Sequence, residues 1–359
     1  MIDAKTFIKT LKKNKINFFS GTPDSVLSNF LELLKKEKNF YISPHEGIAV
    51  SSGIGYFYMT RKIPIVFMQN SGLGNILNPI SSIAHKDIFS IPMILIIGMR
   101  GYKGDEPQHL IQIKSTPKIL KSSDISYFWF DKTKSIDKQI KYALNLTKKN
   151  KMPVAILIRK GVFSKNKLTK HKKESKINLG SSYDDYITTL SKYVKREDFL
   201  FSPTGFVHRT LFSNRKKFRT KKIFYNIGGM GHLSSMAYTA ANMNKNNQIF
   251  CLEGDGSFLM HLGCQTLTNK SKIKNFRYLL FNNGSHYSTG GGIPSNINNI
   301  DLKLFAKSIG LNYRNIKNFK ELEIFMKKKS NKNYFLNLVC NNVHLKNLPR
   351  PKLSQIKFY

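Results

Sequence analysis

The sequence predicts an α/β protein with two doubly wound domains, each built on a parallel β-sheet. In both halves of the chain, short runs of apolar, β-branched and aromatic residues alternate with amphipathic stretches, a pattern typical of parallel α/β folds. Between the halves, residues 164–182 are rich in Lys and Ser and contain few large apolar residues, as expected of a linker. We therefore expect domains at 1–163 and 183–359, each with its own core.

Strand candidates occur throughout both halves. A helix is predicted at 24–36, where apolar residues recur at helical spacing and Pro23 and Asp24 suit the first turn. Ligands of such sheets bind beyond the carboxyl ends of the strands, so motifs that directly follow a strand are the candidate sites. The strand candidates are residues 17–20, 40–43, 63–69, 93–98, 127–130, 154–158, 199–202, 223–226, 248–253, 278–282 and 334–339.

Charge is the most unusual feature of the composition. The 59 basic and 21 acidic residues give a net charge of +38, which is compatible with nucleic-acid binding. The lysines are nevertheless spread in short runs along the whole chain, and no nucleic-acid motif accompanies them. We expect a solvated basic surface, no nucleic-acid partner and no membrane span. The absence of an apolar segment near Met1 and the three scattered cysteines favour a cytoplasmic protein.

The most specific motif is Gly254-Asp255-Gly256-Ser257, directly after the strand candidate 248–253. Twenty-five residues, 257–281, separate Gly256 from Asn282-Asn283-Gly284 at the end of the next strand. Carboxylate and amide oxygens at two adjacent strand ends can converge on Mg²⁺, which also takes phosphate oxygens as ligands. Glycines allow backbone N–H groups to approach a phosphate closely, and a helix beginning near Ser257 adds a favourable dipole. The pair of motifs predicts a metal–diphosphate site.

This pair resembles the diphosphate domain of thiamine-diphosphate enzymes. The resemblance implies thiamine diphosphate as cofactor, bound at Gly254, Gly256, Ser257 and Asn283. It also implies Mg²⁺ ligation by the side chains of Asp255 and Asn283 and by the backbone carbonyl of Ser285. The second half would be the diphosphate domain, the first half the pyrimidine domain, and the chain leaves no room for the central third domain of larger relatives.

Two further elements match the family. Glu46, in Pro44-His45-Glu46-Gly47, would bind the aminopyrimidine ring and activate the cofactor; an isolated Glu here would simply be an acid in the first turn of a helix. The stretch 228–232, Gly-Gly-Met-Gly-His, follows a strand candidate. The resemblance makes the Gly228 carbonyl the partner of the 4′-amino group and Met230 the support of the bent cofactor, with Gly231 and His232 beside it. A lone Met is more often core filler.

Within this family, three stretches of the sequence resemble one group in particular, the phosphonopyruvate and sulfopyruvate decarboxylases. The resemblance implies non-oxidative decarboxylation of 3-phosphonopyruvate, a step of phosphonate biosynthesis, by a homo-oligomer whose chains share each active site. Sulfopyruvate is the alternative substrate, and a carboligase is a further alternative. A catalytically silent protein or a nucleic-acid binder is the alternative from another class, against which the retention of Glu46, Asp255 and Asn283 speaks. The stretches are residues 68–75, 97–109 and 229–235.

Catalytic and substrate-binding residues follow from placement at strand ends. His109 is the first candidate for the proton donor and His286 the second, because imidazole titrates in the useful range; either histidine can instead make a structural hydrogen bond. Arg is the better bidentate partner for a tetrahedral oxyanion, but Arg100 can equally pair with Asp105 or Glu106 and brace its loop. The candidate substrate ligands are Asn70, Ser71, Arg100 and Gln108.

Overall fold

The computed structural model describes residues 1–164, 180–268, 273–290, 292–328, 330–341 and 347–356. These residues divide into two compact units. The first contains 1–164 and a short excursion of the later chain at 286–294, and the second contains the remaining described residues. The predicted boundaries, 1–163 and 183–359, instead assign residues 286–294 to the second domain. Most of the predicted linker, 165–179, lies outside the described residues.

The first unit is built on a six-stranded sheet with the strand order β2-β1-β3-β4-β6-β5, in which every pair is parallel. Its described helices include a short one, α11, from the excursion of the later chain. The strands are β1 Phe19–Gly21, β2 Phe40–Ile42, β3 Ile65–Gln69, β4 Ile94–Met99, β5 Ser126–Trp129 and β6 Val154–Arg159. The helices are α1 Ala4–Lys13, α2 Ser28–Leu34, α3 Glu46–Thr60, α4 Leu77–Pro79, α5 Pro107–Ser122, α6 Ile136–Asn150 and α11 Tyr287–Gly290.

The second unit repeats this architecture, with the strand order β11-β12-β10-β9-β7-β8 and parallel pairing throughout. The strands are β7 Phe199–Ser202, β8 Ile223–Tyr225, β9 Ile249–Gly254, β10 Phe276–Asn282, β11 Asn312–Ile316 and β12 Tyr334–Val339. The helices are α7 Tyr183–Ser191, α8 Phe206–Ser213, α9 Leu233–Met243, α10 Asp255–Met260, α12 Leu302–Ser308 and α13 Phe319–Lys327.

Burial on both faces explains why the central strands are continuously apolar. All six residues of β4 are buried. Ile94 and Ile96 pack into one core cluster and Leu95 and Ile97 into the cluster on the opposite face, because successive side chains of a strand point to opposite sides. The predicted fold class, two doubly wound α/β domains, is confirmed.

Each sheet has a switch point where the strand order changes direction, and ligands of such folds bind there. In the first unit it lies between β1 and β3, and in the second between β7 and β9. Of the predicted site residues, Asn70 and Ser71 follow β3, and the turn at 254–257 lies at the end of β9. The other predicted site residues follow the neighbouring strands β2, β4, β8 and β10.

Two local predictions were wrong. The helix predicted at 24–36 begins at Ser28, and Asp24 lies before it with a carboxylate oxygen that accepts the Leu27 N–H at 3.2 Å. Strand β11 was not predicted because it lies at a sheet edge and consists mostly of polar residues that are exposed or half-buried.

None of the helices in the described ranges combines the length and the hydrophobicity that a membrane crossing requires.

Candidate active site

Glu46 is the buried carboxylate of the first unit that the sequence singled out. It is the first residue of α3 and is 5% exposed. Its Oε1 accepts the Thr22 hydroxyl at 2.8 Å and its Oε2 accepts the Asn75 amide at 2.7 Å, so residues that follow β1 and β3 orient it. A Cβ at Gly72 would lie 2.3 Å from Oε1, and only glycine allows this approach. A carboxylate accepts about four hydrogen bonds, so Glu46 retains capacity for a ligand.

All four candidate substrate ligands make hydrogen bonds within the first unit. The Asn70 amide donates to the Arg100 carbonyl at 3.0 Å and accepts the Arg100 N–H at 3.1 Å, which joins the ends of β3 and β4. The Arg100 guanidinium binds both carboxylate oxygens of Asp105, with Nε at 3.1 Å. The Ser71 hydroxyl accepts the Gln69 amide at 2.6 Å.

The Arg100–Asp105 pair braces the loop between β4 and α5. Burial raises the pKa of Asp105, but the hydrogen bonds from Arg100 and from the backbone N–H groups of Glu106 and Gly101 outweigh it and lower that pKa to about 2. Of the two roles open for Arg100, bracing is the one that these contacts display. A guanidinium has five N–H donors, so the pairing does not exhaust its capacity to bind an oxyanion.

His109 and Gln108 lie in the first turn of α5. His109 is 5% exposed, and its Nδ1 lies 2.9 Å from Gln112 Oε1. Burial lowers the pKa of His109, against the effect of the Gln112 hydrogen bond, so the neutral ring predominates at neutral pH. The Gln108 amide donates to Glu106 Oε2 at 2.8 Å, while its own Oε1 is buried with no hydrogen-bond partner among the described residues.

Asp24 is a buried carboxyl that the sequence marked only as a helix-start residue. It is fully buried, and its Oδ1 has no hydrogen-bond partner in the described part of the chain. A Cβ at Gly98 would lie 1.8 Å from its Oδ2, so Asp24 packs against the end of β4. Burial raises its pKa to about 7, and the charge of Arg100 opposes this shift. The short polar segment Thr22-Pro23-Asp24 after a strand was the signal that the sequence offered.

The buried carboxyl of Asp24 predicts a pH-dependent stability. Between its ordinary pKa of 3.8 and about 7, the native state holds a proton that the unfolded chain has released, so raising the pH favours unfolding. From pH 5 to pH 8 the parent protein should lose stability that Asp24→Asn keeps. We expect the difference in unfolding free energy to shift in favour of the variant by on the order of 2 kcal/mol. Urea unfolding at both pH values measures this shift. The control is Asp131→Asn, because the pKa of Asp131 is lowered, and it should show no such shift. A stability difference between Asp24→Asn and the parent protein that does not change with pH would contradict the prediction.

In the second unit, Asp255 lies where β9 ends and α10 begins, and it is 4% exposed. Its Oδ1 accepts the Gly256 N–H at 2.9 Å, and its Oδ2 accepts the Ser285 N–H at 3.0 Å and the Ser295 hydroxyl at 2.8 Å. Asn283 Oδ1 accepts the same Ser285 N–H at 3.1 Å. The two motifs separated in sequence therefore meet at one edge of the sheet.

The residues at this edge fit a hard cation and a phosphate group. Burial raises the pKa of Asp255 to about 6, against the effect of the hydrogen bonds that it accepts. The hydroxyl of Ser285 is buried without a hydrogen-bond partner in the described ranges. At Gly254 and Gly284 a Cβ would meet no atom within 4 Å, so there is space beside the backbone. No cluster of three His, Cys, Asp or Glu side chains suited to a metal occurs in the described residues, so a metal here would depend on amide, carbonyl and phosphate oxygens.

The loop 228–232 follows β8 and is joined by a hydrogen bond to the turn at 254–257. The Gly231 N–H donates to the Ser257 hydroxyl at 2.9 Å. Gly231 has φ = +86°, and a Cβ there would lie 2.4 Å from the His261 ring, so glycine is required. Gly228 donates its N–H to Asn226 Oδ1 at 3.2 Å.

Met230 and His232 complete this loop. Met230 is half-buried. His232 is exposed, and its Nδ1 lies 3.2 Å from the carbonyl of Gly229. The loop, the turn at 254–257 and the segment 283–285 are thus joined within the second unit.

His286 is the first residue of the excursion that groups with the first unit. It is 7% exposed, its N–H donates to the Ile293 carbonyl at 2.7 Å, and its Nε2 has no hydrogen-bond partner in the described chain. Burial lowers the pKa of His286 to about 4.

Comparison with known proteins assigns the family. The description "Thiamine pyrophosphate enzyme, N-terminal TPP binding domain" matches residues 3–118, and its C-terminal counterpart matches residues 204–337. Sulfopyruvate decarboxylase subunit alpha of Methanocaldococcus jannaschii is 32% identical over 152 residues, which cover 41% of this chain and 87% of that subunit. The chain belongs to the thiamine pyrophosphate enzymes.

Two relatives match over most of this thiamine pyrophosphate enzyme. Phosphonopyruvate decarboxylase of Streptomyces viridochromogenes is 25% identical over 308 residues, which cover 81% of this chain and 76% of the relative. Sulfopyruvate decarboxylase of Methanosarcina acetivorans is 23% identical over 370 residues, which cover 95% and 92%. The chain is therefore a thiamine-diphosphate-dependent carboxy-lyase of the phosphonopyruvate and sulfopyruvate decarboxylase type. The expected organic cofactor, thiamine diphosphate, and the expected class of enzyme are confirmed, and Mg²⁺ stays a prediction.

Proposed function

We propose that this enzyme decarboxylates 3-phosphonopyruvate to phosphonoacetaldehyde and carbon dioxide, with Mg²⁺ beside thiamine diphosphate. The observation that carries the proposal is the similarity to phosphonopyruvate decarboxylase across four fifths of the chain, together with the retained Glu46, Asp255 and Asn283. Sulfopyruvate is the second candidate, because a sulfopyruvate decarboxylase matches over a still larger share of the chain. Residues 1–163 would be the pyrimidine domain and 183–359 the diphosphate domain.

Thiamine diphosphate supplies a nucleophilic carbon and an electron sink for the carbon–carbon bond that breaks. Glu46 would hydrogen-bond the aminopyrimidine ring and exchange a proton with its ring nitrogen, in an orientation set by Thr22 and Asn75. Asp255 and Asn283 would be Mg²⁺ ligands through their side chains and Ser285 through its carbonyl.

Backbone groups at Gly254, Gly256 and Ser257 would contact the diphosphate. Gly228, Met230, Gly231 and His232 would support the bend of the cofactor. These contacts use the glycine turns that already join the two loops.

The reaction replaces a carboxylate by hydrogen, so one group must deliver a proton. His109 is our first candidate and His286 the second. Gln112 Oε1 can only accept a hydrogen bond, so Nδ1 of neutral His109 donates to it. Nε2 is then the atom that takes up and delivers a proton, and it lies 3.9 Å from Glu106 Oε2, a carboxylate that favours the protonated ring.

Residues from two chains would form each active site, so the enzyme would be a homo-oligomer of at least two copies. An active site shared in this way requires the glutamate of one chain to serve the diphosphate site of another. Size-exclusion chromatography with light scattering measures the copy number, and an active monomer would contradict this part of the proposal.

The test is carbon dioxide release by the purified protein with thiamine diphosphate and Mg²⁺. 3-Phosphonopyruvate, 3-sulfopyruvate and pyruvate are compared at matched concentrations. We expect preference for phosphonopyruvate, abolished by a chelator and restored by Mg²⁺. Preference for sulfopyruvate would keep the mechanism and replace the substrate, and release from none of the three would overturn the proposal.

Arg100 provides a test of substrate binding. If its guanidinium also contacts the phosphonate, Arg100→Ala should raise KM for phosphonopyruvate at least about tenfold more than KM for pyruvate, because a charge-assisted pair is lost for one substrate only. Asp105→Ala is the matched control, since it breaks the same brace but removes no cation. Equal effects of the two variants on both substrates would mean that Arg100 only braces the loop.

A further inference from the structure

The carboxylate of Glu253 is buried directly before the Gly254-Asp255 turn and has no role in the reaction described above. It is 0% exposed. Its Oε1 accepts the Ser257 hydroxyl at 2.6 Å, and its Oε2 accepts the hydroxyls of Ser234 and Tyr278. None of the ion pairs in the described chain includes Glu253. A buried carboxylate is costly unless donors satisfy it, so these hydroxyls and the carboxylate hold one another in place.

One of the three hydroxyls connects Glu253 to the predicted cofactor loop. Ser257 has a single hydroxyl hydrogen, and Glu253 Oε1 accepts it. Its oxygen is therefore the acceptor for the Gly231 N–H at 2.9 Å. The chain of hydrogen bonds runs from the backbone of the 228–232 loop, through Ser257, to Glu253 near the end of β9.

The other two hydroxyls connect Glu253 to the core. The Ser234 hydroxyl accepts the Gln265 amide at 2.9 Å, and Gln265 Oε1 accepts the Tyr238 hydroxyl at 2.7 Å. Ser234 and Ser257 therefore both donate a buried hydrogen bond to the same carboxylate. Of these two hydroxyls, only that of Ser257 accepts the Gly231 N–H of the 228–232 loop among the described residues. This difference provides an internal control.

We propose that Glu253 is a positioning residue that fixes the 228–232 loop relative to the diphosphate turn at 254–257, through the hydroxyl of Ser257. The inference rests on the proposed cofactor contacts of these two segments. A cofactor that must bind in a bent conformation needs its two supports at a fixed separation. A preformed separation avoids the cost of ordering the loop on binding.

The test compares two ligands, thiamine diphosphate and inorganic diphosphate, each titrated calorimetrically into the ligand-free protein with Mg²⁺. Inorganic diphosphate needs only the turn, whereas thiamine diphosphate needs the turn and the loop. We expect Ser257→Ala and Glu253→Gln to raise Kd for thiamine diphosphate about tenfold, as the loss of one buried hydrogen bond would. Kd for inorganic diphosphate should change by less than about twofold in Glu253→Gln, because Glu253 makes none of the proposed diphosphate contacts.

Two further variants separate positioning from general stability. Ser234→Ala should lower the stability to urea about as much as Ser257→Ala, because both remove one buried hydrogen bond to Glu253, yet it should leave both affinities unchanged. Ser257→Thr retains the hydroxyl and should restore the affinity for thiamine diphosphate. The inference is wrong if both ligands lose affinity in parallel in Glu253→Gln, if Ser234→Ala behaves as Ser257→Ala does, or if no affinity changes.

Asp255→Ala distinguishes this failure from failure of the proposed site. If Asp255→Ala loses both ligands while Glu253→Gln and Ser257→Ala lose neither, the cofactor site stands and the positioning role is wrong. If Asp255→Ala retains both ligands, the assigned site is wrong and the inference is overturned with it.

Discussion

Replacing Glu46 by Gln is expected to lower kcat at least about a hundredfold while the protein still binds thiamine diphosphate, since a group that assists proton transfer commonly contributes that much. The neutral amide occupies the same space between Thr22 and Asn75 and beside Gly72. The change therefore removes a charge and a proton acceptor with little change in shape. Steady-state decarboxylation and a calorimetric cofactor titration on the same preparation measure the two effects.

The expected split between turnover and binding has a physical basis. The proposed ligands of the diphosphate and of Mg²⁺ belong to the second unit, so most of the cofactor affinity should survive a change at Glu46. An effect confined to kcat indicates an interaction that matters in the transition state rather than in the bound ground state.

A matched control for Glu46 is available in the same unit. Glu37 forms an ion pair with Lys12 at 2.7 Å on the surface, and Glu37→Gln removes the same charge without touching the site. Its kcat should remain that of the parent protein. Near-parental turnover of Glu46→Gln would exclude Glu46 from the reaction, and loss of cofactor binding would make it a ligand instead of a proton acceptor.

The parts of the fold that were predictable are those in which local pattern and tertiary burial agree. Strand β4 is a continuous apolar run because both of its faces are covered, and such runs are visible in sequence. Strand β11 was missed because Asn312, Arg314 and Asn315 face solvent, and its pairing depends on the neighbouring strand β12. Strand identity at an edge is decided by partners that the local sequence does not contain.

The candidate site, like the fold, was predictable from the sequence only in part. The spacing of the two motifs around Asp255 and Asn283 was readable because their backbone turns require glycine and polar side chains at set positions. The choice among possible partners was not readable. The sequence left Arg100 open between a substrate oxyanion, Asp105 and Glu106, and the path of the loop brings it to Asp105. Glu253 accepts three hydroxyls from segments that are distant from it or from one another in sequence. Asp24 was taken for a helix-start residue because its burial depends on how closely β4 passes.

Replacing Asp255 by Ala is the second change with a large expected effect. We expect Kd for thiamine diphosphate at fixed Mg²⁺ to rise at least about a hundredfold, because losing a ligand should exceed the 10- to 100-fold effects of outer contacts around metals. The affinity that remains should no longer respond to Mg²⁺. Titrations with and without a chelator measure both quantities without any turnover.

Asp198 offers a stringent control for Asp255. It is likewise buried in the second unit, at 3% exposure, and burial likewise raises its pKa. It accepts the N–H groups of Lys195 and Gln248, at 2.8 and 3.1 Å. It therefore lies where β7 and β9 begin, whereas Asp255 lies where β9 ends, at the other end of these strands.

Asp198→Ala should reduce stability, because two N–H groups lose their acceptor, and should leave Mg²⁺-dependent cofactor binding intact. The two variants thus separate loss of a buried carboxylate from loss of a metal ligand. If both weaken cofactor binding alike, the effect of Asp255 is general destabilisation and the metal assignment is wrong. If only Asp255→Ala abolishes the response to Mg²⁺, the metal–diphosphate site lies where β9 and β10 end. The reason is that Asp198→Ala removes a buried carboxylate from the same unit without that effect.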